Sequence, residues 1–359
     1  MKNKKSVKIV SILLAVLLAL TLTACGKKDK AEPEVEKPKE KKPVVYMHEN
    51  GLSGLDTLSE KAVGKRPVAV MVNNVEPALP QYGIEEADLI FEIPVEADLT
   101  RLMALYGDYT KVPRICSVRS CRYYYPIFAM GYDAFYVHWG IDETVKSYVY
   151  GLGTDQFDGM SFGHGLFGRD QNRINSGYRM EHTGYFDGTA FDEVLEKEGY
   201  RLELSGYHKD PAFKFCKPGK TIKPDAEPCT VADIYFGGAG CTLTYDSETK
   251  EYRKDINGHP HIDGNTGNQL SFKNAFILET YISIREDGLR KHVDWQGGDD
   301  AVAYYLTEGT VQTVHWKKED GAEDGRLIFF DDQGEEITVN RGKSYIAVTY
   351  PGSVVFAAE

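Results

Sequence analysis

Residues 302–350 read VAYYLTEGTVQTVHWKKEDGAEDGRLIFFDDQGEEITVNRGKSYIAVTY, and this stretch decides the fold class. Within it, 302–305, 311–317, 327–330, 337–339 and 345–350 are short runs of β-branched and aromatic residues. Turn formers separate them: Glu308-Gly309, Asp331-Asp332-Gln333-Gly334 and Asn340-Arg341-Gly342. Runs this short do not sustain helices, and the glycines let the chain reverse. The pattern therefore predicts a largely antiparallel β unit. Working outward, 231–236 and 276–284 belong to the same pattern, so residues 225–359 are expected to form a β-rich C-terminal domain.

Before a boundary rich in Pro, Gly and Lys (211–228), the pattern is mixed. Residues 68–72, 89–93, 101–106 and 134–138 read as strands. Residues 142–150 read as a helix with Asp142 as N-cap. A second helix is expected to start at Thr189, where Thr189 and Asp192 fit a capping box and Phe191, Val194 and Leu195 make one apolar face. The expected class is α+β: a mixed α/β N-terminal domain over 55–215, then the β-rich domain.

The amino terminus is a targeting segment. Lys2, Lys4, Lys5 and Lys8 surround the start, and 9–20 is almost wholly apolar. That run is short for a permanent span but suits a signal peptide. It ends at Leu22-Thr23-Ala24-Cys25-Gly26, the small-residue setting of a bacterial lipobox. Residues 1–24 are thus expected to be a lipoprotein signal peptide, with Cys25 acylated and held in the bilayer on the outer face of the cytoplasmic membrane. Residues 25–54 would then be the lipidated cysteine and a charged, Pro-rich linker with too little apolar surface to fold.

The whole chain carries −12, and about −16 without the four signal-peptide lysines. Such an acidic body argues against a general nucleic-acid binder. With 23 tyrosines and 12% aromatics, an envelope protein with much β structure is expected. Besides Cys25 there are five cysteines, Cys116, Cys121, Cys216, Cys229 and Cys241, an odd number that cannot all pair within one chain. Cys116 and Cys121 are expected to be small buried thiols. Pairing of Cys216 with Cys229 or Cys241 is left open by spacing, as is the oligomeric state.

Three groups could carry chemistry. In 87–122, Asp88, Glu92, Glu96 and Asp98 precede Arg101, Arg114, Arg119 and Arg122. On a strand, Asp88 and Glu92 share a face, while the arginines flank a Ser-Val-Arg-Ser-Cys-Arg segment. Guanidinium forks bind phosphate or carboxylate bidentately, so these residues are candidates for an anion site, with the carboxylates as candidate ligands for Mg²⁺. Structural salt bridges among the same residues are the competing explanation. A second group, Arg169, Asp170, Arg173, Arg179 and His182, follows the Gly-rich stretch 162–168, which lacks phosphate-loop spacing. Arg169 and Arg173 join the anion candidates. The third group is His259, His261 and Asp263, which would share one face if extended and could ligate a metal; Pro260 favours a turn instead. His138 reads as a core-edge residue. No His-Glu-x-x-His occurs.

An ordered set of segments carries a family resemblance: 66–74, 80–88, 100–106, 118–122, 132–138, Arg169 to Arg173, 257–263 and 272–274. Together they resemble the YerB family of bacterial lipoproteins, the DUF3048 domain proteins. The chain departs from the family in having Cys121 where Ala is usual, and Met180-Glu-His-Thr183 where a Pro-His-Asn segment is usual. The resemblance implies an α+β N-terminal domain and a separate C-terminal domain in a lipoprotein, and it supplies no reaction. Two functions are weighed. One is a tethered binder of a cell-wall glycan, an anionic polymer or an envelope protein. The alternative is an enzyme on a phosphorylated or lipid-linked glycan, loosely reminiscent of LytR–CpsA–Psr phosphotransferases. In it Arg101, Arg119 and Arg122 would hold a pyrophosphate, and Asp88 or Glu92 would hold Mg²⁺.

Overall fold

The computed structural model describes residues 47–358, and one sheet of eleven strands organises it. From one edge the order is Glu227–Pro228, Thr310–Lys318, Gly297–Thr307, Asn274–Glu279, Ser344–Thr349, Leu89–Glu96, Leu99–Tyr106, Val68–Asn73, Phe135–His138 and Gln156–Asp158. Leu327–Phe330 also pairs with Thr310–Lys318. Four neighbouring pairs are parallel, among them Ser344–Thr349 with Leu89–Glu96. Strands from both halves of the sequence therefore lie in a single sheet.

The central strands are covered on both faces, which is why they read as nearly continuous apolar runs. Every residue of Val68–Asn73 and Ser344–Thr349 is buried. Alternate side chains divide between two cores. Val70, Ile90, Leu102 and Ala104 meet Ile234, Leu243 and Tyr252 of a second, six-stranded sheet. Met71, Phe91, Ile93 and Met103 meet Tyr124, Tyr125 and Phe128 of the helix Tyr124–Met130. A third sheet of three strands, Arg114–Cys116, Gly184–Asp187 and Phe167–Arg169, lies beside the Asn73 end of Val68–Asn73, where Val72 bridges Val118.

Several elements differ from the sequence expectation. The helix expected over 142–150 is Lys146–Gly151. The Asp142 carboxylate is taken by Thr144, which donates from N and Oγ1, and by Arg285, so it closes a turn instead of capping the helix. The second helix is Phe191–Glu198, entered through a 3₁₀ turn, Gly188–Ala190. Its entry is capped by Asp187, whose side chain accepts from Thr189 N; Thr189 is inside the turn. Residues 276–284 are not one strand. Thr280 donates from Oγ1 to Asp294 O, and the chain breaks into Asn274–Glu279 and Ile282–Ile284. Residues 337–339 form only an isolated bridge, Val339 with Phe215. The hairpin Gly240–Asp246 with Glu251–Ile256 escaped the sequence reading, because lysines and threonines break its apolar pattern.

All five described cysteines are buried and free. The openings left for Cys216 with Cys229 or Cys241 are not taken. Cys25 and the linker up to residue 46 lie outside the described residues; residues 47–54, expected to belong to that linker, are instead folded, with His48–Glu49 paired to Asp56–Leu58 and with Leu52 and Ser53 buried.

Candidate functional site

The arginines singled out in the sequence do not converge, and most are neutralised within the fold. Glu96, at the end of the Leu89 strand, holds two of them. Arg101 Nη2 donates to Glu96 Oε1 at 2.8 Å, and Arg122 donates through Nε and Nη2 to the same carboxylate at 2.9 and 2.8 Å. Arg101 spends its other fork on Ser120 O at 2.8 Å. Burial first, and Arg122 second, pull its guanidinium down to about 10. Arg114 is exposed and pairs with Asp187 at 2.6 Å. Arg173 is only 1% exposed and is a structural staple: it donates to the carbonyls of Ala78, Pro80 and His182 and lies against the rings of Tyr82 and Tyr178.

The carboxylates expected to share an open face lie instead in separate buried settings. Asp88 accepts from Gly107 N at 2.8 Å and Ser53 Oγ at 3.3 Å, and burial raises it above the ordinary carboxylate value. Glu92, 2% exposed, sits in a wholly internal network. Lys254 Nζ, from the second sheet, lies 3.1 Å from Glu92 Oε2, and Tyr345 OH donates to the same oxygen at 2.8 Å. Asn74 Nδ2 and Thr100 Oγ1 donate to Oε1 at 2.9 and 2.8 Å. Burial alone would lower the Lys254 ammonium, but Glu92 overrides it and holds it above its ordinary value.

The same network consumes the histidine candidate. His261 Nδ1 is 3.2 Å from Lys254 Nζ, and its Nε2 is 2.9 Å from Gln81 Oε1. Burial and Lys254 push His261 well below its ordinary value, so the neutral ring accepts at Nδ1 and donates at Nε2. Asp263 accepts from the backbone N of Glu85 and Asn265, while His259 is exposed. His259, His261 and Asp263 therefore share no ligand face. No group of three or more His, Cys, Asp or Glu able to hold a metal occurs among the described residues. With Asp88 and Glu92 buried apart, and Arg101 and Arg122 closed onto Glu96, the phosphotransferase geometry is not assembled.

Two of the predicted cations remain, and they do share a hollow. Arg119 and Arg169 line an open cleft of about 720 Å³ together with Trp139, Met160 and Met180. Arg119 leaves the loop after Arg114–Cys116, where Trp139 N donates to Arg119 O at 3.0 Å. Arg169 ends the strand Phe167–Arg169. Its Nη1 donates to Met180 O at 2.6 Å, and its guanidinium lies 4.3 Å over the Trp139 ring. Neither guanidinium has a carboxylate partner among the described residues. Burial and then Arg119 lower Arg169 below its ordinary value, as expected for two cations facing one space. Trp139 is wedged into place: a Cβ on Gly159 would come within 2.7 Å of its ring, and one on Gly184 within 2.9 Å.

Two of the three acids along the cleft are already engaged. Glu143 pairs with Lys146 at 3.0 Å. Asp158 accepts from the backbone N of Gly140 and Met160 at 2.7 and 2.9 Å. Glu181 is half-exposed and lies 3.6 Å from His182 Nε2, too far for a hydrogen bond, and burial holds His182 below its ordinary value, so this carboxylate stays free at the rim. The cleft thus has two uncommitted positive charges beside an aromatic platform, and it can hold a multivalent anion. His138 is buried beneath its floor, with Nδ1 3.0 Å from Gly140 O. Sequence reasoning missed Trp139, Asp158, Met160 and Met180 as cleft residues. No local sequence signal marks them, because Gly159 and Gly184, which make room for the Trp139 ring, are distant from it along the chain.

Comparison with known proteins gives consistent results. A family model described as "Protein of unknown function (DUF3048) N-terminal domain" matches residues 52–201, and the corresponding C-terminal domain model matches 232–346. The "Putative lipoprotein YerB" of Bacillus subtilis (strain 168) is 27% identical over 332 residues, covering 91% of each chain. The crystal structure of YerB protein from Bacillus subtilis superposes with a TM-score of 0.72 at 26% identity, covering 86% of this chain and 98% of that one.

Proposed function

The chain belongs to the DUF3048 family, and on that premise we propose that it is an extracytoplasmic lipoprotein whose body binds an anionic component of the cell envelope in the Arg119–Arg169 cleft. The anchor is Cys25, acylated on its thiol before residues 1–24 are removed, so that the body is held on the outer face of the cytoplasmic membrane. The lipobox and the name of the Bacillus subtilis relative support this placement. The observation that carries the binding reading is the pair of guanidiniums without a carboxylate partner over one open cleft.

Two measurements test it. Metabolic labelling with a palmitate analogue should mark the chain and leave Cys25→Ala unlabelled; equal labelling of both removes the anchor assignment. The full chain in detergent should retain purified anionic wall polymer and release it with rising salt, as screening predicts. Arg119→Gln with Arg169→Gln should abolish retention while the far-ultraviolet circular dichroism stays native. Retention unchanged in that variant would move the site elsewhere.

A further inference from the structure

We propose that the anion bound between Arg119 and Arg169 carries an apolar chain: it is the phosphate headgroup of a membrane lipid, whose chain lies against Met160, Met180 and Tyr150. This deepens the reading above and rests on it. Those three side chains border the same cleft as the two guanidiniums and are 69%, 56% and 46% exposed, respectively. Exposed large apolar groups gathered at one place mark a binding surface, and methionines adapt to irregular apolar partners.

The apolar rim and the charges are built from the same parts. Trp139 Nε1 donates to Met160 Sδ at 3.2 Å while the Trp139 ring carries Arg169. Thr183 Oγ1 contacts Met180 Sδ at 3.6 Å while the Met180 carbonyl accepts from Arg169. Both thioethers are thus fastened to the elements that aim Arg169. A purely hydrophilic polymer would use the guanidiniums and leave all three rim side chains in water. An amphiphile with one phosphate uses both. The stretch between Cys25 and Met47 sets an upper reach of about 75 Å from the bilayer, so a tethered body can bring the cleft to lipid headgroups.

The test uses the mature chain 25–359 carrying Cys25→Ser, so that no acyl chain competes. Tryptophan fluorescence follows titration with inorganic phosphate, then butyl, hexyl and octyl phosphate below their micelle concentrations. Affinity is expected to climb with chain length by about twofold to fourfold per methylene, the upper figure corresponding to full burial. Met160→Ser with Met180→Ser should flatten that climb and keep inorganic phosphate binding. Arg119→Gln with Arg169→Gln should abolish binding of every phosphate. Equal affinity along the series, still lost in the arginine variant, overturns the lipid proposal and leaves the anion site standing. No binding of any phosphate by the folded parent overturns both. A chain-length dependence that survives in the arginine variant puts the alkyl group elsewhere and also overturns the lipid proposal. In a second arm, the same chain should sediment with phosphatidylcholine vesicles containing phosphatidate and not with phosphatidylcholine alone. Failure to sediment with the phosphatidate vesicles overturns a bilayer source.

Discussion

Replacing Glu92 by Gln should unfold much of the stability margin of this protein, and should do so in a pH-dependent way. Lys254 is 0% exposed and Glu92 2%, so the variant leaves an ammonium in the interior with only neutral partners, the His261 Nδ1 and the Tyr345 ring among them. Removing one member of such a pair costs about 3–5 kcal/mol, because the remaining charge is not repaid for its lost hydration. In the parent, Lys254 is held above its ordinary 10.5. Its contribution is therefore complete below about 10.5 and fades as pH rises through the raised value. In the variant, burial is no longer overridden by Glu92 and lowers Lys254. The unfolded chain then binds more protons, and stability rises with pH. The gap between parent and variant should shrink between pH 7 and pH 10 because the variant gains stability over that range while the parent keeps its own. Urea denaturation at the two pH values measures it. A double variant with Lys254→Met should recover about 2 kcal/mol of the loss, since no orphaned charge remains. A gap below about 1 kcal/mol at pH 7, a gap independent of pH, or a double variant as unstable as the single one would each refute the reasoning.

Three further outcomes are expected. Lys318 is buried with its Nζ on Ile127 O at 2.9 Å, and burial pushes it down to about 7 despite Asp324 and Glu323. Its folded value lies below its unfolded one, so the stability gained by Lys318→Met should be about 5 kcal/mol larger at pH 6 than near pH 10.5; a constant gain across that range contradicts the assignment. Gly159→Ala puts a Cβ 2.7 Å from the Trp139 ring and 2.8 Å from Phe167, and should cost about 1–3 kcal/mol in thermal or urea unfolding; a neutral substitution would mean the wedge is loose. The thiols of Cys116, Cys121 and Cys241 are pushed up to about 12 by burial and, with Cys216 and Cys229, are unpaired. Dithiothreitol should leave the unfolding midpoint unchanged, and the five thiols should react with a chromogenic disulfide only on unfolding.

The sequence was most legible where a single local rule governs. The strands at 68–72, 89–93 and 327–330 are apolar because both faces are covered, and each was found within a few residues. Legibility failed where tertiary partners decide. Asp142 looks like a helix cap, but Arg285, distant in sequence, and Thr144 claim it for a turn. Residues 276–284 look continuous because nothing local shows that Thr280 bonds to Asp294. The same applies to the site. The cluster 87–122 was correctly seen as rich in arginine and carboxylate. Which arginine is spent depends on long-range geometry: Glu96 takes Arg101 and Arg122, and Asp187 takes Arg114. Arg119 and Arg169 are left over only because no acid reaches them in three dimensions. His261, in the second half, reads as a metal candidate, and it is an interior partner of Lys254, which itself pairs with Glu92.

The pairing of Ser344–Thr349 with Leu89–Glu96 also has a bearing on how the molecule comes into being. Those strands are neighbours in space but more than two hundred residues apart along the chain. A ribosome delivers the Leu89 segment long before its flanking partner exists. Until then one margin of an apolar strand stands open to any other extended chain, and Glu92 waits for its lysine. The two family segments therefore cannot be expected to mature one after the other as finished pieces, and truncation anywhere before residue 349 should yield an aggregation-prone product in place of a smaller working protein.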